Sequence, residues 1–263
     1  MPVLDKTISP LAPRPSDDTE GSGHTTVLLD VDGTLLDSNE AHALSWQHAL
    51  RRRGHAVPYE KVRPLIGRPA AELIAELIGP MPDPAEIRRL AEERRSLFVR
   101  SYLTHLYPMP GTRALLQRLR DDGFRLVAAG SCDGAPLKAL LRQAGIGELF
   151  EDLGAAAGTQ DAGHPQQIVR EALARAGVPA REAILIADTP YDVAAAHAVG
   201  VDAIALRCGG WWRDVALSGA LALYDDPADL LRKLATSPLA REATADLTGE
   251  AEKVARRDRT VHL

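Results

Sequence analysis

Short apolar runs alternate with amphipathic segments over residues 107–234, and this alternation constrains the fold more than any other feature of the chain. The runs typical of buried strands are FRLVAAG (124–130), LGAAAG (153–158, the weakest), AILIAD (183–188), DAIALRCGG (202–210) and ALALY (220–224). Helical patterns that end at Gly123, Gly145 and Gly177 separate them. The alternation predicts an α/β fold with a Rossmann-like parallel sheet and helices on both faces.

A further apolar run, TTVLLD (25–30), ends in the loop DVDGT and predicts the first strand of the same sheet. From residue 37 to residue 106 the apolar side chains recur at helical spacing, and no strand pattern interrupts them. We therefore predict an all-helical cap domain at 37–106, inserted into a core domain made of residues 24–36 and 107–237.

Composition excludes several classes of protein. The chain has 263 residues, a formal net charge of −5 and 45% apolar residues. These values are typical of a globular protein, and the net negative charge gives no broad basic surface for nucleic acid. No apolar stretch approaches the roughly 20 residues that span a bilayer, and no secretory pattern opens the chain. The two cysteines, Cys132 and Cys208, are too few for a disulfide framework. We expect a cytoplasmic monomer or weak homodimer with a disordered leader (1–23) and a polar tail (238–263).

Two carboxylates, Asp30 and Asp32, lie close together on a tight loop at the end of the first strand. They repel each other unless a cation or a shared proton relieves the repulsion, and a hard divalent ion with oxygen ligands does this well. Gly33 allows the backbone to turn, and Thr34 offers a hydroxyl. The alternative is an ordinary Asp-Gly turn after a strand.

A second pair of carboxylates, Asp188 and Asp192, follows the strand AILIAD. If a helix begins at Pro190, Asp188 could simply cap it. The functional alternative is that Asp188 reaches the same metal as Asp30 from a neighbouring strand end, because ligands of parallel sheets bind beyond the carboxyl ends of the strands.

VLLDVDGTLLDSN (27–39) and ILIADTPYDVAAAHAVG (184–200), with the helical block between them, resemble the haloacid dehalogenase superfamily. The cap and the returning segment YPMPGT (107–112) are similar to its phosphoglycolate phosphatase and β-phosphoglucomutase-like branch. The resemblance extends from about residue 25 to 234. It implies a Mg²⁺-dependent phosphatase that acts on a small phosphorylated metabolite.

The resemblance also implies roles for individual residues. Asp30 attacks phosphorus and forms an aspartyl-phosphate, while Asp32 protonates the leaving oxygen and later activates water. Mg²⁺ is held by the Asp30 carboxylate, the Asp32 main-chain carbonyl and Asp188. Asp192 orients the water around the metal, and Thr34 belongs to the groups that contact the phosphate.

The second motif departs from the family pattern. Where Thr or Ser normally binds a phosphoryl oxygen, the strand here ends with Gly130, followed by Ser131. Either Ser131 binds the phosphate, or the Gly130 amide acts alone and Ser131 only begins a loop. Arg68 in the cap loop IGRPAAE could bind a substrate anion or be an ordinary exposed arginine. His42 could contact Asp32, contact the substrate or pack within the cap.

The third motif lacks its lysine, which in the family steadies the nucleophile and the transferring phosphoryl charge. No Lys occurs between Lys138 and Lys233, and the expected position falls on Gly163 or His164. A protonated His164 would replace the lysine in part, or it is a solvated loop residue. Because loss of one such donor costs on the order of 10²–10³ in rate, the sequence predicts a weak phosphatase.

Two other functions remain open at this stage. A catalytically impaired relative would bind a phospho-ligand or a protein instead of turning it over. A phosphosugar mutase is less favoured, because Ile66 and Ala70 stand in the cap loop where mutase-like sequences have Lys and Arg. The intact carboxylates Asp30, Asp32 and Asp188 favour an enzyme.

Overall fold

A five-stranded parallel sheet is the centre of the computed structural model, which describes residues 23–80, 83–130, 134–150, 153 and 164–241. The strands are β1 (Thr26–Leu29), β2 (Arg125–Ala128), β3 (Ala183–Ala187), β4 (Asp202–Leu206) and β5 (Ala222–Tyr224). Their spatial order is β2-β1-β3-β4-β5. The predicted parallel α/β sheet is thus confirmed. The direction of the strand order reverses between β1 and β3, and such a switch point is where open α/β sheets bind ligands.

Helices occupy two places in the chain order. Those between β1 and β2 are α1 (Asn39–Arg52), α2 (Tyr59–Val62), α3 (Ala70–Ile78), α4 (Pro84–Ser101) and α5 (Thr112–Asp121). Those that follow β2 are α6 (Gly134–Gln143), α7 (Pro165–Ala176), α8 (Pro190–Val199) and α9 (Pro227–Arg232). None of the described helices is long and apolar enough to cross a membrane.

The two faces of the sheet bury alternate residues of each strand, as a side-chain period of two requires. Val27 and Leu29 of β1 belong to one core cluster, with side chains from α5, α6 and α9. Leu28 belongs to the opposite cluster, with side chains from α7 and α8. Both faces are therefore covered, which explains why the strands are continuous apolar runs rather than alternating ones.

The helical block between Leu36 and Pro108 has a hydrophobic cluster of its own, which includes Trp46, Leu73 and Leu90. The chain leaves the core and returns to it along two paired segments, with a bridge between Leu36 and Pro108 and the Asp37 amide donating to the Tyr107 carbonyl at 2.9 Å. Within its described residues the block contains helices and turns but no strand, as expected for a helical cap.

Two sequence-based boundaries differ from the structure. The run predicted as a strand over 202–210 is a strand only to Leu206, because Arg207–Gly209 turns into a 3₁₀ helix and Gly210 adopts a positive φ of 79°. Leu239 lies beyond the predicted end of the core at 237, yet it is fully buried in the main cluster. The weak strand at 153–158, apart from residue 153, the leader before residue 23 and the tail after residue 241 lie outside the described residues.

Candidate active site

Three carboxylates meet at the carboxyl edge of the sheet, on both sides of the switch point. Asp30 directly follows β1, Asp188 directly follows β3, and Asp192 lies in the first turn of α8. Oxygen atoms of the three side chains all lie within 4.8 Å of one another. Because β1 and β3 are adjacent and parallel, their carboxyl ends lie side by side. This brings Asp30 and Asp188 together although they are 158 positions apart in the sequence. We name Asp30, Asp188 and Asp192 the carboxylate cluster.

Two glycines make room for the Asp188 carboxylate. At Gly33, where φ is 81°, a Cβ would lie 2.5 Å from Asp188 Oδ2 and 2.0 Å from Asn39 Nδ2. At Gly209 a Cβ would lie 1.9 Å from Asp188 Oδ2. Neither position has space for a side chain, so the two loops that carry these glycines pack directly against Asp188.

Hydrogen bonds hold the carboxylate cluster in place. The Thr34 hydroxyl lies 3.0 Å from Asp30 Oδ2 and 3.0 Å from Asp188 Oδ1, and Asn39 Nδ2 donates to Asp188 Oδ2 at 2.7 Å. Thr34 is fully buried and does not line the cavity described below. The Thr34 hydroxyl thus bridges two carboxylates, and the phosphate contact expected of it stays a prediction.

The carboxylates are costly to ionise together in the absence of a cation. Burial, followed by repulsion from Asp192, raises the pKa of Asp188 to about 7. Burial also raises the pKa of Asp192 to about 6. For Asp30, burial and then the charges of Asp192, Asp188 and Asp32 raise the pKa well above its usual value. A compact set of oxygen donors with this much uncompensated charge suits a hard divalent cation such as Mg²⁺.

These pKa shifts predict how metal-free stability depends on pH. The native pKa values of Asp188 and Asp192 exceed the unfolded values, so between about pH 4 and pH 7 the native state binds more protons than the unfolded state. The contribution of both groups to stability is therefore greatest below pH 4 and falls as pH rises to 7. Mg²⁺ should reverse the loss at pH 7.5 and raise the melting temperature by about 5 °C or more at 100 times its Kd.

Thermal denaturation with EDTA, with Mg²⁺ and with NaCl of equal ionic strength measures this effect from pH 5 to pH 7.5. We expect the Mg²⁺-specific rise in melting temperature to grow with pH, because protons compete with the cation for the carboxylates. A rise at pH 7.5 no larger than that given by NaCl would contradict a metal site at the cluster.

Asp32 lies beside the cluster and is held by groups from the start of the cap. Ser38 Oγ donates to Asp32 Oδ1 at 2.6 Å, and His42 Nε2 lies 2.9 Å from the same oxygen. His42 stacks on Phe98 with ring centroids 4.1 Å apart, and its Nδ1 lies 3.2 Å from Arg94 Nη1. A guanidinium only donates, so His42 Nδ1 is the acceptor in its contact with Arg94.

A cavity of about 90 Å³ opens between the core and the cap, with Asp30, Asp32 and Asp192 on its core side. The cap contributes two arginines to its lining, Arg68 and Arg94. Other described residues in the lining are Asn39, His42, Trp46, Ile66, Gly67, Ala70, Leu73, Ala129, Pro165, Ile168 and Thr189. The lining therefore combines carboxylates of the core with two arginines of the cap.

The structure describes only two of the four residues expected at the second and third motifs, Gly130 and His164. Gly130 is the second residue after β2 and is half-buried, while Ser131 and Gly163 lie outside the described residues. His164 is exposed, with 68% of its side chain accessible, and its Nε2 lies 3.4 Å from Glu72 of the cap. It is not among the described residues that line the cavity, and its partial replacement of the missing lysine stays a prediction.

Sequence reasoning missed three residues of this site. Ser38 and Asn39 directly follow the first motif, and their short polar side chains next to DVDGTLLD were a signal that could have found them. Arg94 lies in the run EERR (92–95), where nothing in the sequence distinguishes it from Arg95. The packing of α4 against α1 selects Arg94, whose guanidinium lies 5.2 Å from the centre of the Trp46 ring.

The chain is similar to several known proteins. It is 30% identical over 219 residues to a phosphoglycolate phosphatase of Rhodospirillum rubrum, covering 78% of this chain and 88% of that one. It is 27% identical over 240 residues to the tyrosine-protein kinase PtkA of Mycobacterium tuberculosis, covering 88% and 73%. The crystal structure of a predicted phosphatase from Clostridium acetobutylicum superposes with a TM-score of 0.69 at 24% identity, over 81% of this chain and 99% of that one, which shows the shared fold.

The family profile described as haloacid dehalogenase-like hydrolase matches residues 27–206. That span includes the first strand with Asp30 and Asp32, the whole cap, and the third strand with Asp188 and Asp192. The match covers more than half of the chain, and curated phosphatases are among the relatives. This chain therefore belongs to the haloacid dehalogenase-like hydrolases.

Proposed function

We propose that this protein is a Mg²⁺-dependent phosphatase of small phosphorylated metabolites that works through an aspartyl-phosphate intermediate. One observation carries the proposal: Asp30 and Asp32 share a small cavity with two cap arginines, at the edge where Asp188 and Asp192 complete a carboxylate cluster. The cavity volume of about 90 Å³ is well below the roughly 300–1,000 Å³ of typical ligand pockets. Such a site suits a small phosphate ester.

The chemistry follows from the positions of Asp30 and Asp32. An Asp30 carboxylate oxygen attacks phosphorus, the bond from phosphorus to the ester oxygen breaks, and that oxygen takes a proton from Asp32. Asp32 then removes a proton from water, which attacks the aspartyl-phosphate and releases inorganic phosphate. Ser38 and His42 orient Asp32 for both steps, because both contact its Oδ1.

Asp30, Asp188 and the main-chain carbonyl of Asp32 would hold Mg²⁺, with Asp192 close to the same position. Asp188 is 1% exposed and accepts from Asn39, which fixes its carboxylate before the metal binds. When bound, Mg²⁺ polarises the phosphoryl oxygens and offsets the charge of the carboxylates.

The cap supplies the positive charge that the third motif lacks. Residues 139–163 contain arginine only at Arg142 and no lysine, so the segment EDLGAAAGTQDAG (151–163) contributes no cation whatever its conformation. Arg68 and Arg94 line the same cavity as Asp30 and are suited to bind the phosphoryl oxygens or a second anionic group of the substrate.

The absence of the third-motif lysine also supports a second candidate function. In that case the protein is catalytically impaired and binds a phospho-ligand or a protein partner. A screen of phosphorylated metabolites with and without Mg²⁺ separates the two. We expect Mg²⁺-dependent release of phosphate from at least one small ester, phosphoglycolate being the first to try because of the relatives named for it. Binding of Mg²⁺ and of inorganic phosphate without any turnover would instead support the impaired protein.

His164 provides a test of which cations matter. Because its side chain is exposed and lies beside Glu72, we expect His164→Ala to change kcat/KM by less than about twofold, in line with other surface substitutions. Steady-state kinetics at pH 6 and pH 8 measure this. A loss of tenfold or more at pH 6 that disappears at pH 8 would show instead that a protonated His164 assists the reaction.

A further inference from the structure

A buried arginine of the cap, Arg63, contacts the core next to the carboxylate cluster. It is 7% exposed, its Nη2 donates to the Gly209 carbonyl, and its guanidinium lies 5.9 Å from the centre of the Trp211 ring. Gly209 in turn packs against Asp188, since a Cβ added at Gly209 would lie 1.9 Å from Asp188 Oδ2. Burial raises the pKa of Asp188, and the nearby positive charge of Arg63 opposes that rise. Arg63 therefore touches the loop that forms one wall around Asp188.

The neighbouring residues of the cap contact a second core element, the first turn of α8. Tyr191 lies between Asp188 and Asp192, and its hydroxyl donates to the Pro64 carbonyl at 3.0 Å. The Arg68 guanidinium covers the Tyr191 ring at 5.2 Å. Gly67 packs against the same helix turn, where a Cβ would lie 3.1 Å from Tyr191 Cδ2. Residues 63–68 of the cap thus contact two core segments next to Asp188, the turn at Gly209 and the first turn of α8.

We propose that cap segment 63–68 is a positioning element for the carboxylate cluster. Through Arg63 and Tyr191 it fixes the turn at Gly209 and the start of α8 at 189–192, so that Mg²⁺ binds tightly only when the cap is docked. This inference rests on the proposed function, because it takes the cluster to be the Mg²⁺ site. Neither Arg63 nor Tyr191 lines the cavity, so both act on the site through other residues.

The sign of the change in Mg²⁺ affinity separates positioning from simple electrostatics. Arg63 carries a positive charge close to the cluster, so a purely electrostatic role predicts tighter Mg²⁺ binding once that charge is removed. A positioning role predicts weaker binding, since the Gly209 loop loses the donor that anchors it. Tyr191→Phe removes only a hydroxyl and leaves the charge unchanged, so it tests positioning alone.

The experiment is calorimetric titration of Mg²⁺ into the full chain at pH 8, without substrate. We expect Tyr191→Phe to raise the Kd by about threefold to tenfold, the range of one net hydrogen bond, and Arg63→Gln to raise it at least as much. The controls are Tyr59→Phe and Arg53→Gln, which make the same changes at a cap tyrosine and at an exposed cap arginine. Both should leave the Kd unchanged.

The double variant should weaken binding by less than the product of the two single effects, because both contacts act through docking of the same segment. An unchanged Kd in Tyr191→Phe, or tighter binding in Arg63→Gln, would overturn the inference while leaving the Mg²⁺ site intact. Failure of the wild-type protein to bind Mg²⁺ would overturn the metal site itself. Melting curves of each variant confirm that the fold is retained.

Discussion

Asp30→Asn is expected to lower Mg²⁺-dependent release of phosphate by more than about 10³-fold, because an amide cannot attack phosphorus and loss of a single supporting donor already costs 10²–10³. The fold should survive. Asp30 accepts a hydrogen bond from Thr34 and repels Asp188 and Asp192, so an uncharged side chain there relieves repulsion. We expect the metal-free melting temperature at pH 7.5 to be equal to or higher than that of the wild-type protein.

Asp37→Asn is the matched control, since Asp37 is exposed and lies only seven residues away. It should keep wild-type turnover. Steady-state kinetics on the best substrate from the screen, together with melting curves, measure both expectations. Wild-type turnover in Asp30→Asn would show that Asp30 is not the nucleophile, and the mechanism would have to be rebuilt around another group.

Arg94→Gln is expected to reduce kcat/KM by about 10²–10³, the usual cost of losing one preorganised charge near a transferring group. Arg94 lines the same cavity as Asp30, and its Nη1 also contacts His42 Nδ1, the ring nitrogen that does not contact Asp32. The loss therefore removes a cation and releases the ring that orients Asp32. Arg94→Lys should retain part of the activity, because the charge remains while the planar fork of donors is lost.

The control for Arg94 is Arg89→Gln on the same helix, an exposed arginine 3.6 Å from Asp83 on the surface. We expect no measurable change in kcat/KM for this variant, as is usual for exposed ion pairs. If Arg94→Gln matched the wild-type protein, Arg94 would not replace the third-motif lysine, and Arg68→Gln would be the next variant to measure, because Arg68 also lines the cavity.

Much of the architecture was predictable from local pattern. Each strand of the sheet is an apolar run, and a parallel sheet aligns the carboxyl ends of its strands, so the proximity of Asp30 and Asp188 followed from where two runs end. The helical block was predictable for a similar reason: its apolar side chains recur at helical spacing, and no strand pattern interrupts them. The end of β4 was predicted less well, because Cys208 and Gly209 continue the apolar run although the backbone turns there.

The sequence by itself thus determined the sheet, the insertion of the cap and the residues that end β1 and β3, because these depend on periodicity and on strand ends. Only the tertiary structure decided that Arg94 lines the cavity together with Arg68. It also decided that Thr34 bridges two carboxylates and that His164 lies beside Glu72. Arg94 meets His42 across 52 positions and Arg63 meets Gly209 across 146. Such contacts depend on how each helix is rotated and on how the cap docks on the core, and no local pattern encodes either.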